Sequence, residues 1–220
     1  HGVEHDRGAE VLGETDVPLE RVGIVRIDAP GFLTRRFHVD RVPPCAKTPG
    51  ATTGPAIETN ELLSAALTTM PPLATVFPNT GLGNQLRMVA RIINARQLLN
   101  IHREIFFVRL GGFDTHSGQA TNQPGLLTQV AQAMAAFYNA TVEMGISESV
   151  TQFTASDFSR TLKYNGGGTD HAWGSCQFVL GGSVRGREMY GTWPAFALSG
   201  PSDSGSQGRF IPTTAVDQYT

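Results

Sequence analysis

The chain predicts an α/β fold, a partly parallel sheet flanked by helices. Residues 105–110 (IFFVRL) and 150–154 (VTQFT) are short apolar runs rich in β-branched and aromatic side chains, the composition of buried strands. Between them, Leu126, Val130, Ala133, Phe137, Ala140 and Met144 recur at spacings of four and three, which draws one stripe along a helix. Strand, long helix, strand is a βαβ unit with a right-handed crossover and parallel strands. The carboxyl ends of both strands then share one sheet edge, where open α/β sheets bind their ligands. That edge carries Asp114 and His116 after the first strand and Asp157 after the second.

The other elements follow in order. Residues 1–74 read as an irregular arm. Pro18, Pro30, Pro43, Pro44, Pro49 and Pro55 break regular structure there. A short strand is expected at 22–27 (VGIVRI) and a short helix at 58–70, stopped by Pro71 and Pro72. Residues 75–220 form the α/β domain. A helix is expected over 83–99, with Leu82, Leu86, Val89 and Ile93 on one stripe and Arg87 and Arg91 on a solvated face. The long helix is expected over 124–144, with Pro124 in its first turn and Gly145 as its stop. A further strand is expected at 177–180 (QFVL).

Bulk properties narrow the function classes. The 220 residues suffice for one sizeable core. A net charge of −2 gives no electrostatic case for nucleic acid, and no apolar run has the length of a membrane span. Cys45 and Cys176 either pair in an oxidising compartment or stand as unrelated thiols. There is no GxSxG elbow, Walker loop, HExxH or dinucleotide fingerprint.

The chemistry is concentrated between residues 114 and 171. Asp114, His116, Asp157, Asp170 and His171 are the candidate metal ligands. Three carboxylates brought together repel by a few kcal/mol per pair, at roughly 4 Å and an effective dielectric near 20. A divalent metal offsets that, and carboxylate oxygen with imidazole nitrogen suits zinc first, with manganese or iron as alternatives. Arg160 is the rival counter-charge, able to grip a carboxylate without a metal. The triple glycine at Gly166, Gly167 and Gly168 either lets backbone approach a ligand anion or is a plain turn.

Several stretches carry a family resemblance: residues 78–93 (PNTGLGNQLRMVARII), 106–119 (FFVRLGGFDTHSGQ), 151–174 (TQFTASDFSRTLKYNGGGTDHAWG), 178–194 (FVLGGSVRGREMYGTWP) and 208–220 (GRFIPTTAVDQYT). As an ordered set they resemble the bacterial family called domain of unknown function 1501, over roughly residues 75–220. The resemblance implies the alkaline phosphatase and sulfatase superfamily, with a metal site at the carboxyl ends of the strands. Asp114 with His116, Asp157, and Asp170 with His171 would then be ligands. It also implies a periplasmic or secreted protein. Two departures stand out. Ser159 and Ala172 occupy positions where the family has glycine, and Cys176 lies where a more polar residue is expected. The superfamily's nucleophile belongs to an upstream half, so the resemblance implies a fragment, a metagenomic reading frame cut at both ends.

Three functions are expected in order. The first is a metal-dependent hydrolase of small anionic phosphate or sulfate esters, with Arg160 as the catalytic residue that holds the anion. The second is a non-catalytic exported binding or surface protein that keeps the fold. The third is an esterase using Ser156 or Ser159. An exposed sheet edge would favour a homo-oligomer.

Overall fold

The computed structural model describes residues 24–28 and 53–214, with the backbone alone for 24–28 and 53–59. In chain order the elements are β1 (Ile24–Asp28), α1 (Thr53–Thr69), α2 (Gly81–Asn94), β2 (Arg103–Phe107), α3 (Gln119–Glu143), a 3-10 turn (Ser147–Ser149), β3 (Val150–Phe153), β4 (Ser159–Tyr164), β5 (Thr169–Ala172) and β6 (Val179–Gly181). The rest of the expected arm, with Cys45, lies outside the described residues, as do residues 215–220.

One sheet has the order β2-β1-β3-β6, and β4 with β5 forms a separate hairpin. Every neighbouring pair in both is antiparallel. This corrects the expected partly parallel sheet. The cause is β1, which inserts between β2 and β3 and pairs with both, placing Ile24 opposite Phe107 on one side and Phe153 on the other. Because β2 and β3 are each antiparallel to β1, they still run in the same direction. Their carboxyl ends share an edge, so the inference drawn from the βαβ pattern survives the change in pairing.

The core lies between this sheet and two helices. Thr80 caps α2, its Oγ1 accepting from the Gly83 amide at 3.1 Å. The expected stripe of Leu82, Leu86, Val89 and Ile93 is buried, and Arg87 and Arg91 are exposed. The helix stops at Asn94, short of residue 99. The chain continues in turns to Asn100, whose positive φ of 53° ends the run. Helix α3 buries Val130, Ala133, Met134, Phe137 and Ala140 against α2, Val108 and Val150. Its start is a second correction: it begins at Gln119, five residues before Pro124. Proline forgoes only one backbone bond, and the turn ahead of it is already closed by the Asn122 amide on the Gly118 carbonyl at 3.0 Å. Gly145, at φ 67°, supplies the expected stop.

Two polar side chains fix the ends of these elements. Gln85 of α2 donates through Nε2 to the Arg109 carbonyl at 2.8 Å and accepts the Arg109 amide at 2.9 Å. That pair holds the backbone just beyond β2. Glu143, at the end of α3, accepts the Ala74 amide at 2.6 Å and both the amide and hydroxyl of Thr75 at 2.9 and 2.6 Å. No helix among the described residues is long and apolar enough to cross a membrane.

Two outcomes follow from this packing. Phe137 is fully buried, so Phe137→Ala lowers unfolding stability by about 3–5 kcal/mol in urea titration. The hydrogen bond from the Thr75 side chain, joined by the Ala74 and Thr75 amides, holds the Glu143 carboxyl below its ordinary 4.5. A depressed carboxylate contributes stability above its ordinary value and loses it as pH falls through the depressed one. Amide exchange at Ala74 and Thr75 therefore accelerates as pH falls below about 4.5, after correction for intrinsic rates, and Glu143→Gln removes that acid step.

Candidate metal centre

The site is built where the loop after β2 meets the β4–β5 hairpin. Sequence reading left residues 159–172 as a loop with a glycine turn, and the hairpin is the third correction. Its signal was present: Gly166-Gly167 is a two-residue hairpin pair, closed by the Asn165 amide on the Gly168 carbonyl at 3.0 Å, and Gly166 takes φ 107°. The register puts Arg160 opposite His171 and Ser159 opposite Ala172. Ser159 and Ala172 are both buried.

The triple glycine packs against the loop that carries His116. A Cβ on Gly168 would run into the Thr115 carbonyl oxygen, and one on Gly167 would meet the Ser117 backbone at 3.2 Å. Gln119 at the start of α3 completes the join. Its amide donates to the Gly167 carbonyl at 3.4 Å, and its side-chain oxygen accepts from the Thr169 hydroxyl at 2.8 Å. Close backbone packing is thus what Gly167 and Gly168 serve.

Three of the five expected ligands converge. Asp114 Oδ1 lies 2.7 Å from His171 Nε2 and 3.0 Å from His116 Nε2. One donor atom from each of the three residues falls within 4.8 Å of the others. Two ligand atoms on a tetrahedral zinc stand roughly 3.3 Å apart, near the two distances measured from Asp114 Oδ1, so the trio could hold a metal. The three side chains are 41–49% exposed. Exposed ion pairs of this kind add little stability.

Neighbouring groups hold the trio. Arg160, only 13% exposed at its side chain, donates NH1 to the Thr169 carbonyl at 2.8 Å and NH2 to Asp114 Oδ1 at 3.2 Å. NH2 also donates to the Phe113 carbonyl. Both terminal nitrogens are therefore engaged within the protein. Phe158 stacks on the His171 ring at 4.0 Å and 12°, and the Arg160 guanidinium lies 5.0 Å from the Phe158 centroid. The His171 hydrogen bond, then the charges of His116 and His171 and the Arg160 bond, hold the Asp114 carboxyl below its ordinary value against its desolvation.

The remaining candidates stand apart from the trio. Asp170 touches His116 at Nδ1, 3.3 Å away, on the far side of that ring from Asp114. Asp157 is exposed and lies outside the converging group. Ser156 donates to the Phe158 carbonyl at 2.7 Å, and the Ser159 hydroxyl is buried without a hydrogen-bond partner. Among the described residues neither serine bonds to a histidine. Phe158, stacked on His171, and Asn165, whose Nδ2 donates to Asp170 Oδ1 at 2.9 Å, are neighbours of the cluster that sequence reading passed over.

The glycine packing gives a direct test. Gly168→Ala forces the hairpin off the His116 loop, and overpacking of this kind costs typically ~1–3 kcal/mol. A thermal melt is expected to fall accordingly, with shifts of the His116 and Ser117 amide resonances. Gly166→Ala, where a Cβ meets nothing within 4 Å, costs only the strain of its positive φ and leaves those resonances in place.

No curated protein and no solved structure matches the chain. A family model does, that of the protein of unknown function DUF1501, over residues 59–210. The match begins ahead of α2 and takes in the whole of the site, and on it the chain belongs to the DUF1501 family.

Proposed function

We propose that Asp114, His116 and His171 hold one divalent cation, zinc before manganese or iron, and that the centre hydrolyses small anionic esters of phosphate or sulfate. The observation that carries this reading is the single Asp114 oxygen facing Nε2 of both histidines at 2.7 and 3.0 Å. A divalent cation at that point would polarise an ester oxygen and make water a competent nucleophile at neutral pH. The protein's own part is orientation. Arg160 fixes Asp114 through NH2, and Phe158 fixes the plane of His171. The exposure of all three ligands leaves the centre open to substrate. The alkaline phosphatase and sulfatase kinship, and the exported location that goes with it, belong to this reading through the family resemblance. Self-association through β2 belongs to it as well, since Ile105 and Phe107 are exposed there.

A second reading, a binding or surface protein without turnover, draws on the aromatic side chains left exposed beyond the hairpin. Trp173, Trp193 and Phe196 are each at least half exposed, and the Trp193 and Phe196 rings lie 5.4 Å apart.

Metal retention and turnover separate the readings. After zinc loading and desalting, the chain is expected to keep about one equivalent, and Asp114→Ala under about 0.2. Hydrolysis of an aryl phosphate or aryl sulfate falls by more than about 100-fold in Asp114→Ala, while Asp157→Ala keeps the metal. Retention without turnover selects the binding reading. Turnover unchanged by Asp114→Ala, or no metal kept by the unaltered chain, overturns the proposal.

A further inference from the structure

We propose that Asp170 is a positioning residue rather than a ligand: it is the carboxylate that accepts the Nδ1 proton of His116 and so presents Nε2 to the centre. The inference rests on the metal reading above and assigns a role within it. His116 touches two carboxylates through opposite ring nitrogens, Asp114 from Nε2 at 3.0 Å and Asp170 from Nδ1 at 3.3 Å. Only one ring nitrogen of a histidine can face the shared point, and the Asp170 oxygens fall outside the set that converges there. A histidine ligand whose other nitrogen donates to a carboxylate has its tautomer and ring plane fixed.

The carboxylate is itself held. Asn165 Nδ2 donates to the same Asp170 Oδ1 at 2.9 Å. Asn165 Oδ1 accepts the amides of Gly167 and Gly168 at 3.1 and 2.9 Å. The Asp170 amide donates to the Thr161 hydroxyl oxygen at 3.1 Å, and Thr161 is buried. The relay therefore runs from the glycine turn to Asn165, to Asp170, to His116. It gives the residue between Tyr164 and Gly166 a function: its amide both closes the turn and orients the carboxylate.

The test measures zinc affinity of the full chain by competition with a chromophoric chelator, alongside the tautomer of His116 by long-range proton–nitrogen correlation. Asp170→Ala is expected to keep one zinc and bind it about 10–100-fold more weakly, with Asp170→Asn in between. Asp114→Ala, the ligand control, loses stoichiometric binding. In the metal-free protein, at a pH where the imidazoles are neutral, the Nδ1-protonated fraction of His116 falls in Asp170→Ala. Zinc loss in Asp170→Ala equal to that in Asp114→Ala would make Asp170 a ligand and overturn the proposal. Affinity within twofold of the unaltered chain would also overturn it. If the unaltered chain binds no zinc, the metal reading fails separately, and the tautomer decides: an unchanged Nδ1-protonated fraction overturns the role of Asp170. Matching thermal melts exclude loss of fold as the cause, and should Asp170→Ala melt early, Asn165→Ala reports the same relay one step further out.

Discussion

The site depends on one partly buried guanidinium. Arg160 leaves β4 and ties three backbone or side-chain oxygens from separate stretches: Phe113 and Asp114 of the loop after β2, and Thr169 at the start of β5. The same hairpin and loop are also joined by the His171–Asp114 and His116–Asp170 contacts and by the packing of two glycines against the 115–117 backbone. A guanidinium suits this task because its donors are planar, rigidly spaced and always charged. A lysine could reach one of these oxygens but not span them. These three contacts use three of its five N–H donors, and one of them anchors Asp114.

Much of the frame was legible because apolar spacing is a strong signal. The stripes on α2 and α3 named the residues that the core buries, Phe137 and Ile93 among them. The shared edge for the ends of β2 and β3 was legible too, although the reason was incomplete. Strand β1 enters from the proline-rich arm, far away in sequence, and nothing local to β2 or β3 announces that a third strand will separate them. Pairing is decided by which backbone edges meet, and a single strand's own composition does not record its neighbour.

The site was half legible for a different reason. Asp114, His116 and His171 stood out by residue type, and strand direction brought the first two to the correct edge. The hairpin was missed because residues 159–164 lack a clean apolar alternation: Leu162 and Tyr164 are exposed while Ser159 and Thr161 are buried. A strand that buries hydroxyls and exposes apolar side chains inverts the pattern by which strands are recognised. At Thr161 the buried hydroxyl is used: its oxygen accepts the Asp170 amide at 3.1 Å, and it donates to the Lys163 carbonyl at 3.0 Å.

This arrangement divides the charged residues by distance from the shared point. Asp114 and the two histidines meet there. Arg160 stands behind Asp114 and Asp170 behind His116, and Phe158 backs His171 where a carboxylate would have added a further negative charge. Each converging side chain thus has one supporting neighbour, and the two charged supports carry opposite signs. The arrangement limits repulsion among the acids: Asp170 is separated from Asp114 by the full width of an imidazole ring, and the guanidinium bonds Asp114 directly. Exposed ligands otherwise swing freely and lose orientation to entropy. Here the constraint is supplied from behind, by backbone and partly buried polar groups, while the front of the cluster stays open to solvent.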